Sequence, residues 1–258
     1  MKNKRFLGQH FLISQNIKDK IFETAEKYAP LCKSILEIGP GTGAITQILL
    51  RLNKPFFAVE KDNILSHNLK EKFRNLVLFE EDARSFSFES IEKKFYPMMI
   101  IGNLPYYAAT DIMLNLLAYP SRISSAHFTI QKEVALKFSS STGQKYYSKY
   151  SVWTHCYYDT KIDFSIGKGC FSPPPKVTSS FLTFIPKDYF ELDESDSLKF
   201  FSFLEKLFQQ QRKTIYANLK RFEKSFNSDF LETINKKARP NQIEPTFYYS
   251  AFKKFFPL

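Results

Sequence analysis

The sequence predicts an α/β protein with a mostly parallel sheet, followed by a small all-helical domain. Two observations support this prediction. Short apolar runs alternate with helical stretches over most of the chain, and the pattern becomes purely helical from Leu198 onward. The length of 258 residues also suits one to two domains. We expect the first domain to span 1–187, with 1–30 as an N-terminal segment lining its site, and the second to span 188–258.

Each element rests on a local pattern. Ile17, Ile21, Phe22 and Ala25 recur at helical spacing and predict a first helix. Short apolar runs predict strands at 34–38, 56–59, 76–79, 98–101, 126–130 and 177–184, and a helix is predicted at 44–52. Pro186 and the acidic segment 191–196 predict a linker. Beyond it, helical spacing links Phe201, Leu204, Phe208, Ile215 and Leu219.

The composition excludes several classes of protein. Hydrophobic residues are 43% and charged residues 24%, which is typical of globular chains. No apolar run approaches the roughly 18 residues of a membrane span, and Gly8 interrupts any signal-peptide core. The three cysteines show no CxxC spacing, so we expect no disulfide framework, no metal site and a cytoplasmic location. The net charge of +11 suits a polyanionic partner, although a lysine-rich solvated surface explains it equally well.

Three successive strand ends carry residues suited to a nucleoside ligand. Gly39-x-Gly41-x-Gly43 follows the first strand of the sheet, where glycines allow a tight turn and close approach of backbone to a ligand. Glu60 follows the next strand and Asp82 the third. A carboxylate about 20 residues after the glycines is placed to accept hydrogen bonds from ribose hydroxyls, and Asp82 could accept one from an adenine amino group. The series predicts a cofactor that contains adenosine.

The fourth strand ends in Asn103-Leu104-Pro105-Tyr106, which is the most specific local motif. It resembles the motif of S-adenosylmethionine-dependent methyltransferases that act on exocyclic amino groups of bases. The Asn103 side-chain oxygen and the Leu104 carbonyl can each accept one amino hydrogen, which directs the nitrogen lone pair at a methyl donor. Pro105 stiffens the turn, and the Tyr106 ring can stack on the target base.

The ordered motifs resemble, over nearly the whole chain, the KsgA-type small-subunit ribosomal RNA adenine N6,N6-dimethyltransferases. The matching segments are 5–12, 37–43, 102–106, 131–134, 171–177 and 210–215. The resemblance implies a Rossmann-like class I methyltransferase sheet and S-adenosyl-L-methionine as cofactor. It implies dimethylation of two adjacent adenosines in the 3'-terminal hairpin of 16S RNA, a role in small-subunit biogenesis, and a monomer that binds the small ribosomal subunit.

The resemblance also implies residue roles. His10, Leu12, Gly39 and Gly41 would line the cofactor site with Glu60, Asp82 and Asn103. Phe171 would be a second stacking face opposite Tyr106. The pattern differs at His10, at 107–109, at Gln211 and at Tyr216, where the family commonly has other residues.

The helical domain is basic. From Lys206 to the end there are 11 basic and 4 acidic residues. Lys199, Lys206, Lys213 and Lys220 recur every seven residues and would form one stripe on a continuous helix. With Arg212, the last three are the candidate contacts to RNA phosphates.

Three other readings stay open. A methyltransferase for large-subunit RNA, of the macrolide-resistance type, would share the cofactor domain and the asparagine motif. A DNA adenine methylase is less favoured, since no separate target-recognition domain is visible. A non-catalytic ribosome-assembly or transcription factor could use the same fold, but the intact Gly39, Glu60, Asp82, Asn103 and Tyr106 favour catalysis.

Overall fold

The computed structural model describes residues 9–190, 192–221 and 235–256. These residues belong to two compact units. The first contains residues up to 135 together with 161–186, and the second contains 136–160 and the residues from 187 onward. The last residue of the first unit is Pro186, one residue before the predicted boundary at 187/188. Residues 136–160, assigned from sequence to the first domain, lie instead in the second unit, because the helix they contain packs with the later helices.

The strands are short and most lie in one sheet. They are β1 (Phe11–Leu12), β2 (Ser34–Ile38), β3 (Phe56–Val59), β4 (Val77–Phe79), β5 (Met98–Asn103), β6 (Ile123–Gln131), β7 (Tyr158–Ile166), β8 (Phe171–Ser172) and β9 (Ser179–Pro186). The α-helices are α1 (Gln15–Tyr28), α2 (Thr46–Leu49), α3 (Asn63–Lys72), α4 (Ala109–Leu117), α5 (Lys132–Ser139), α6 (Lys149–Tyr157), α7 (Ser197–Phe208), α8 (Ile215–Leu219) and α9 (Pro245–Phe255). Short 3-10 turns occupy Ala29–Leu31, Leu50–Leu52, Phe88–Ser90, Lys93–Phe95, Pro120–Arg122, Lys168–Cys170, Glu194–Asp196 and Pro240–Gln242.

Seven strands form the main sheet, in the order β4-β3-β2-β5-β6-β9-β7. The first five of these are parallel to one another, and β9 runs antiparallel to β6. Every residue of β2 and β3 is buried, as expected for parallel strands covered on both faces. The chain order reverses at β2, which lies between β3 and β5. This is the switch point at which open α/β sheets bind ligands beyond the carboxyl ends of their strands.

The predicted α/β class with a mostly parallel sheet is therefore confirmed. Each predicted strand is present: β2 and β3 have the predicted bounds, and the bounds of β4, β5, β6 and β9 differ from the prediction by up to three residues. The strands β1, β7 and β8 were not predicted. The helix expected at 44–52 is a short α-helix, α2, that tightens into a 3-10 turn. The first helix is α1, and its buried face is formed by Ile17, Ile21 and Ala25, one helical turn apart.

The second unit is built from helices around an aromatic core. The buried Trp153 indole of α6 donates hydrogen bonds to the carbonyl and hydroxyl oxygens of Ser197, at 3.2 and 3.1 Å. Phe200 of α7 and Phe252 of α9 are buried and meet edge to face. None of the described helices is both long and apolar enough to span a membrane.

The single lysine stripe predicted for this unit was wrong. Helix α7 ends at Phe208, and the Asn218 amide of α8 donates to the carbonyls of Leu207 and Gln210, at 3.0 and 3.3 Å. This side chain satisfies carbonyls at the end of α7, where the chain turns before α8, whose N-cap residue is Thr214. Lys206 and Lys213 consequently lie on different elements.

Candidate active site

A cleft opens at the carboxyl ends of the parallel strands in the first unit. About 1010 Å³ of open space is lined by residues that follow β2, β3, β4 and β5 and by the segment around β1. The lining includes the predicted residues His10, Leu12, Gly39, Gly41, Glu60, Asp82, Asn103, Leu104, Pro105 and Tyr106. The structure therefore brings together all but one of the predicted site residues of the first domain.

The glycine loop after β2 has a backbone that side chains would not tolerate. Gly39, Gly41 and Gly43 have φ values of +63°, +59° and +80°, in the left-handed region that favours glycine. A Cβ at Gly43 would lie 2.5 Å from the Phe73 ring. Gly39 and Gly41 line the cleft.

Glu60 is held in place by backbone groups. One carboxylate oxygen accepts from Gly41 N at 3.0 Å, and the other accepts from Asp62 N at 2.9 Å. Burial raises the pKa of this carboxyl group, and the two backbone hydrogen bonds oppose the rise. Since a carboxylate has about four lone-pair sites, each oxygen of Glu60 can still accept a further donor, such as a ribose hydroxyl.

Asp82 lies beyond β4 among basic side chains. Its carboxylate accepts from the Lys61 ammonium at 2.9 Å and from the Arg84 guanidinium at 2.6 Å. The hydrogen bonds from Arg84 are the main reason that the pKa of Asp82 is held well below its usual range. The Asp82 side chain is therefore an ionised acceptor at neutral pH.

The turn after β5 fixes the amide of Asn103. Its Nδ2 donates to the His10 carbonyl at 2.8 Å, which leaves the side-chain oxygen as the free acceptor end of the amide. The Leu104 N–H donates to the Thr129 carbonyl of the neighbouring strand, at 3.1 Å. The Ala108 N–H donates to the Pro105 carbonyl and closes the turn, at 3.0 Å.

The segment around β1 crosses this edge of the sheet. β1 pairs antiparallel with β8, so that Phe11 is opposite Ser172 and Leu12 is opposite Phe171. The His10 ring donates from Nδ1 to the Pro173 carbonyl at 2.7 Å and lies 5.3 Å from the Tyr106 ring, centroid to centroid. The Tyr106 hydroxyl is hydrogen-bonded to the Ser179 hydroxyl. Burial raises the pKa of Tyr106, which therefore stays neutral.

Phe171 is the exception among the predicted site residues. Its side chain is only 2% exposed and belongs to the hydrophobic core with Leu12, Ile17 and Ile101. The expectation that it stacks on a base opposite Tyr106 does not agree with this placement. Phe171 does not line the cleft, although its partner in the β1–β8 pair, Leu12, does.

One acidic residue of this region was not predicted from the sequence. Glu37 is 1% exposed and accepts a hydrogen bond from the Thr46 hydroxyl at 2.6 Å. The pKa of the Glu37 carboxyl group is raised to about 8, mainly because the group is buried. The available signal was an acidic residue inside the apolar run 34–38, immediately before the glycine loop.

The predicted RNA contacts lie in the second unit. Arg212 and Lys213 are exposed in the turn between α7 and α8. Lys206 is in the last turn of α7, and the Lys220 ammonium lies 5.4 Å from the centre of the Tyr216 ring. In the described part of the chain, no cluster of three or more His, Cys, Asp and Glu side chains is arranged to hold a metal ion.

The architecture and the site define a class of protein. A mostly parallel seven-stranded sheet carries a glycine loop after β2 and carboxylates after β3 and β4, as class I S-adenosylmethionine-dependent methyltransferases do. The residues present fit that cofactor, since the carboxylates of Glu60 and Asp82 can accept hydrogen bonds from hydroxyl and amino groups and the glycine loop leaves room for close approach. S-adenosyl-L-methionine is the methyl donor of the protein.

Comparison with known proteins narrows the class to one family. The model of the ribosomal RNA adenine dimethylase family matches residues 1–255, and the chain belongs to this family. It is 34% identical to the ribosomal RNA small subunit methyltransferase A of Malacoplasma penetrans, over 100% of this chain and 95% of the relative. It is 33% identical to the protein of the same name from Chlorobium phaeobacteroides, over 99% of this chain and 94% of the relative.

Two solved structures share the fold along nearly the whole chain. A dimethyladenosine transferase from Plasmodium falciparum has a TM-score of 0.74 at 23% identity and covers 96% of this chain and 100% of its own. The 23S rRNA methyltransferase ErmE has a TM-score of 0.69 at 22% identity and covers 95% of this chain and 99% of its own. The predicted fold class and the predicted enzyme class are both confirmed.

Proposed function

We propose that this protein dimethylates N6 of two adjacent adenosines in the 3'-terminal hairpin of 16S ribosomal RNA, during biogenesis of the small ribosomal subunit. The names of relatives that align over almost the entire chain support the small subunit as the target. We further propose that it acts in the cytoplasm as a monomer.

The orientation of the Asn103 amide is the observation that carries the proposal. Because Nδ2 is held by the His10 carbonyl at 2.8 Å, the side-chain oxygen is the end that can accept an amino hydrogen. The Leu104 carbonyl is the second acceptor, and together they hold the adenine nitrogen with its lone pair directed at the methyl donor. Tyr106 lines the same cleft and offers its ring for stacking on the base.

The chemistry requires positioning rather than a strong base. S-adenosyl-L-methionine supplies an electrophilic methyl group on a sulfonium centre. Methylation makes the adenine nitrogen cationic, so its proton is lost readily to water afterwards. Asn103 and Leu104 therefore act by orientation and by electrostatic stabilisation of the amino group as positive charge develops.

The remaining cleft residues bind the methyl donor in this proposal. The Gly39–Gly41 backbone receives the methionine portion, Glu60 accepts from the ribose hydroxyls and Asp82 accepts from the adenine amino group. His10 and Leu12 close the cleft from the side of β1. Their positions along successive strand ends support this assignment.

The test is methyl transfer from labelled S-adenosylmethionine to undermethylated small subunits, large-subunit RNA and duplex DNA, followed by nucleoside mass analysis. We expect N6,N6-dimethyladenosine in small-subunit RNA alone. Asn103→Ala should lower kcat by about 100-fold or more, since it removes an oriented acceptor. Asn75→Ala, at an exposed turn, is the control and should leave kcat unchanged. Absence of label in small-subunit RNA would contradict the proposal.

A second candidate is methylation of large-subunit RNA. The observation that favours it is the shared fold with the 23S rRNA methyltransferase ErmE, which extends over 95% of this chain. Label in the large-subunit RNA of the same experiment would select this candidate. Binding of cofactor and small subunit without any label would select a non-catalytic assembly factor.

A further inference from the structure

Asp82 has no acceptor capacity left. Its carboxylate accepts from four nitrogens: Lys61 Nζ at 2.9 Å, Arg84 backbone N at 3.0 Å, Arg84 Nε at 3.1 Å and Arg84 Nη2 at 2.6 Å. A carboxylate offers about four lone-pair sites. Glu60, in contrast, accepts two backbone hydrogen bonds and keeps sites for other donors.

This difference matters for a ligand that donates to Asp82. An adenine amino group brings an additional donor, so one of the four nitrogens must leave. The Arg84 backbone N–H is fixed by the turn in which Ser85 N donates to the Asp82 carbonyl, at 2.9 Å. The side chains of Lys61 and Arg84 are 49% and 41% exposed and can move into solvent.

Arg84 is the stronger of the two competitors. It contributes two side-chain nitrogens in a planar fork that matches the carboxylate, whereas Lys61 contributes a single point charge. The Arg84 charge also interacts with Asp111, in the first turn of α4, and with Tyr107, on the cleft rim. These two side chains are available to the Arg84 guanidinium when it leaves Asp82.

We propose that Arg84 competes with the adenine amino group for Asp82 and thereby lowers the affinity of the enzyme for S-adenosylmethionine and for its product, S-adenosylhomocysteine. The inference rests on the proposed function, in which Asp82 is the adenine acceptor. Arg84 is a positioning residue in this scheme. Its effect falls on cofactor exchange, which must occur repeatedly when several methyl groups are transferred to one RNA.

The test is calorimetric binding of S-adenosylhomocysteine to the full-length protein. Arg84→Met should bind it about two- to fivefold more tightly, the range expected when an exposed ion pair no longer has to be broken. Asp82→Asn should bind more weakly than the wild type. In the Asp82→Asn background, Arg84→Met should have no further effect, which a double-mutant cycle measures directly.

A ligand change tests the same point without altering the protein. S-inosylhomocysteine carries a carbonyl oxygen in place of the adenine amino group, so the amino donor to Asp82 is lost. Its affinity should therefore not improve in Arg84→Met. Arg74→Met removes the same charge at another exposed position and is the control for net charge. Arg84→Gln, which keeps a polar side chain, is the second variant and should behave like Arg84→Met.

Unchanged or weaker binding of S-adenosylhomocysteine by Arg84→Met would overturn the proposal, as would an equal gain with the inosine analogue or with Arg74→Met. The outcome is separable from the proposed function. If Arg84 variants bind the cofactor as the wild type does while small-subunit RNA is methylated, only this inference fails. If the affinity changes as expected but no RNA is methylated, only the proposed function fails.

Discussion

Three carboxyl groups near one edge of the sheet have very different environments. Glu37 is fully buried with one hydroxyl donor, and its pKa rises to about 8. Glu60 is buried but receives two backbone donors, and its pKa rises less far than burial alone would give. Asp82 is paired with Arg84 and Lys61, and its pKa falls. At neutral pH, Glu37 is therefore a protonated structural group, while Asp82 is a charged acceptor.

Glu37 should make the stability of the protein depend on pH. A folded-state pKa near 8, above the ordinary value of 4.5, means that the native state binds the extra proton between these two values. The free energy of unfolding should then fall by up to about 1.4 kcal/mol per pH unit as the pH rises through this window. Glu37→Gln keeps an acceptor for the Thr46 hydroxyl and removes the group that titrates. The measurement is the thermal stability of the wild type and of Glu37→Gln, followed from pH 4.5 to 8.5.

We expect Glu37→Gln to gain thermal stability over the wild type steadily as the pH rises, with the difference levelling off above about pH 8. All other titrating groups are common to both proteins, so they cancel in the difference. Parallel curves for the two proteins would contradict the assignment of a raised pKa to Glu37.

For single residues, the sequence predicted which side chains line the cleft but not their orientation or their hydrogen-bond and ion-pair partners. Glu60, Asp82 and Asn103 could be found because each follows a recognisable strand. The amide orientation of Asn103 depends on the His10 carbonyl, which is 93 residues away. The ion pairs of Asp82 likewise depend on how the loops meet, and local patterns carry no information on such contacts.

Among the elements, the pairing of β1 with β8 organises the entrance to the cleft. Two strands of two residues each join segments about 160 residues apart, with Leu12 and Phe171 directly opposite. The pair is continued by a hydrogen bond from Ile13 N to the Cys170 carbonyl at 2.9 Å. Leu12 and Phe171 both belong to the hydrophobic core. The position of His10, which directly precedes β1, therefore depends on how these two side chains pack.

Phe171 should therefore affect stability more than base recognition. Phe171→Ala should lower the free energy of unfolding by about 3–5 kcal/mol, as for other buried aromatic rings. Phe171→Leu fills most of the same volume and should lose less than about 1.5 kcal/mol. Because the ring does not line the cleft, we expect Phe171→Leu to keep kcat/KM for RNA within about twofold of wild type, measured well below its unfolding temperature.

The opposite result would restore the original expectation. A ring that stacks on the target base contributes about 1–3 kcal/mol, so Phe171→Leu would then lower kcat/KM by about 5- to 150-fold without a matching loss of stability. Measuring thermal unfolding and steady-state kinetics on the same two variants separates these cases.

The sequence predicted elements well where they are long or buried on both faces. β2, β3 and β5 are mostly apolar and almost completely buried, which explains why they could be predicted from the sequence. β7 was missed because its partly exposed residues, such as Thr160 and Lys161, interrupt any apolar run. The break between α7 and α8 was missed because it is made by the Asn218 side chain, eleven residues beyond the carbonyl it caps.

On the scale of the whole molecule, the division into two units separates two tasks in the proposed function. The cleft and all residues assigned to the cofactor belong to the first unit, whereas Lys206, Arg212, Lys213 and Lys220 belong to the second. Removing the chain after Lys187 would leave 136–160 without the rest of its unit. Point substitutions are therefore a cleaner test of the second unit than truncation.

Arg212 and Lys213 should contribute to RNA affinity without affecting the cofactor. Both are exposed in the turn between α7 and α8, where their side chains can reach RNA phosphates. Each phosphate contact changes the slope of log K against log salt by about 0.7–0.9. We expect Arg212→Gln with Lys213→Gln to reduce this slope by about 1.5 for small-subunit RNA, with binding of S-adenosylhomocysteine unchanged.

The matched control is Lys253→Gln with Lys254→Gln, which removes the same charge from exposed positions in the last turn of α9. A smaller change in slope for this pair assigns the effect to contacts made by Arg212 and Lys213. An equal change would mean that the net charge of +11, rather than a local docking surface, governs RNA affinity. In that case the predicted role of the α7–α8 turn would be wrong, whereas the assignments in the cleft would stand.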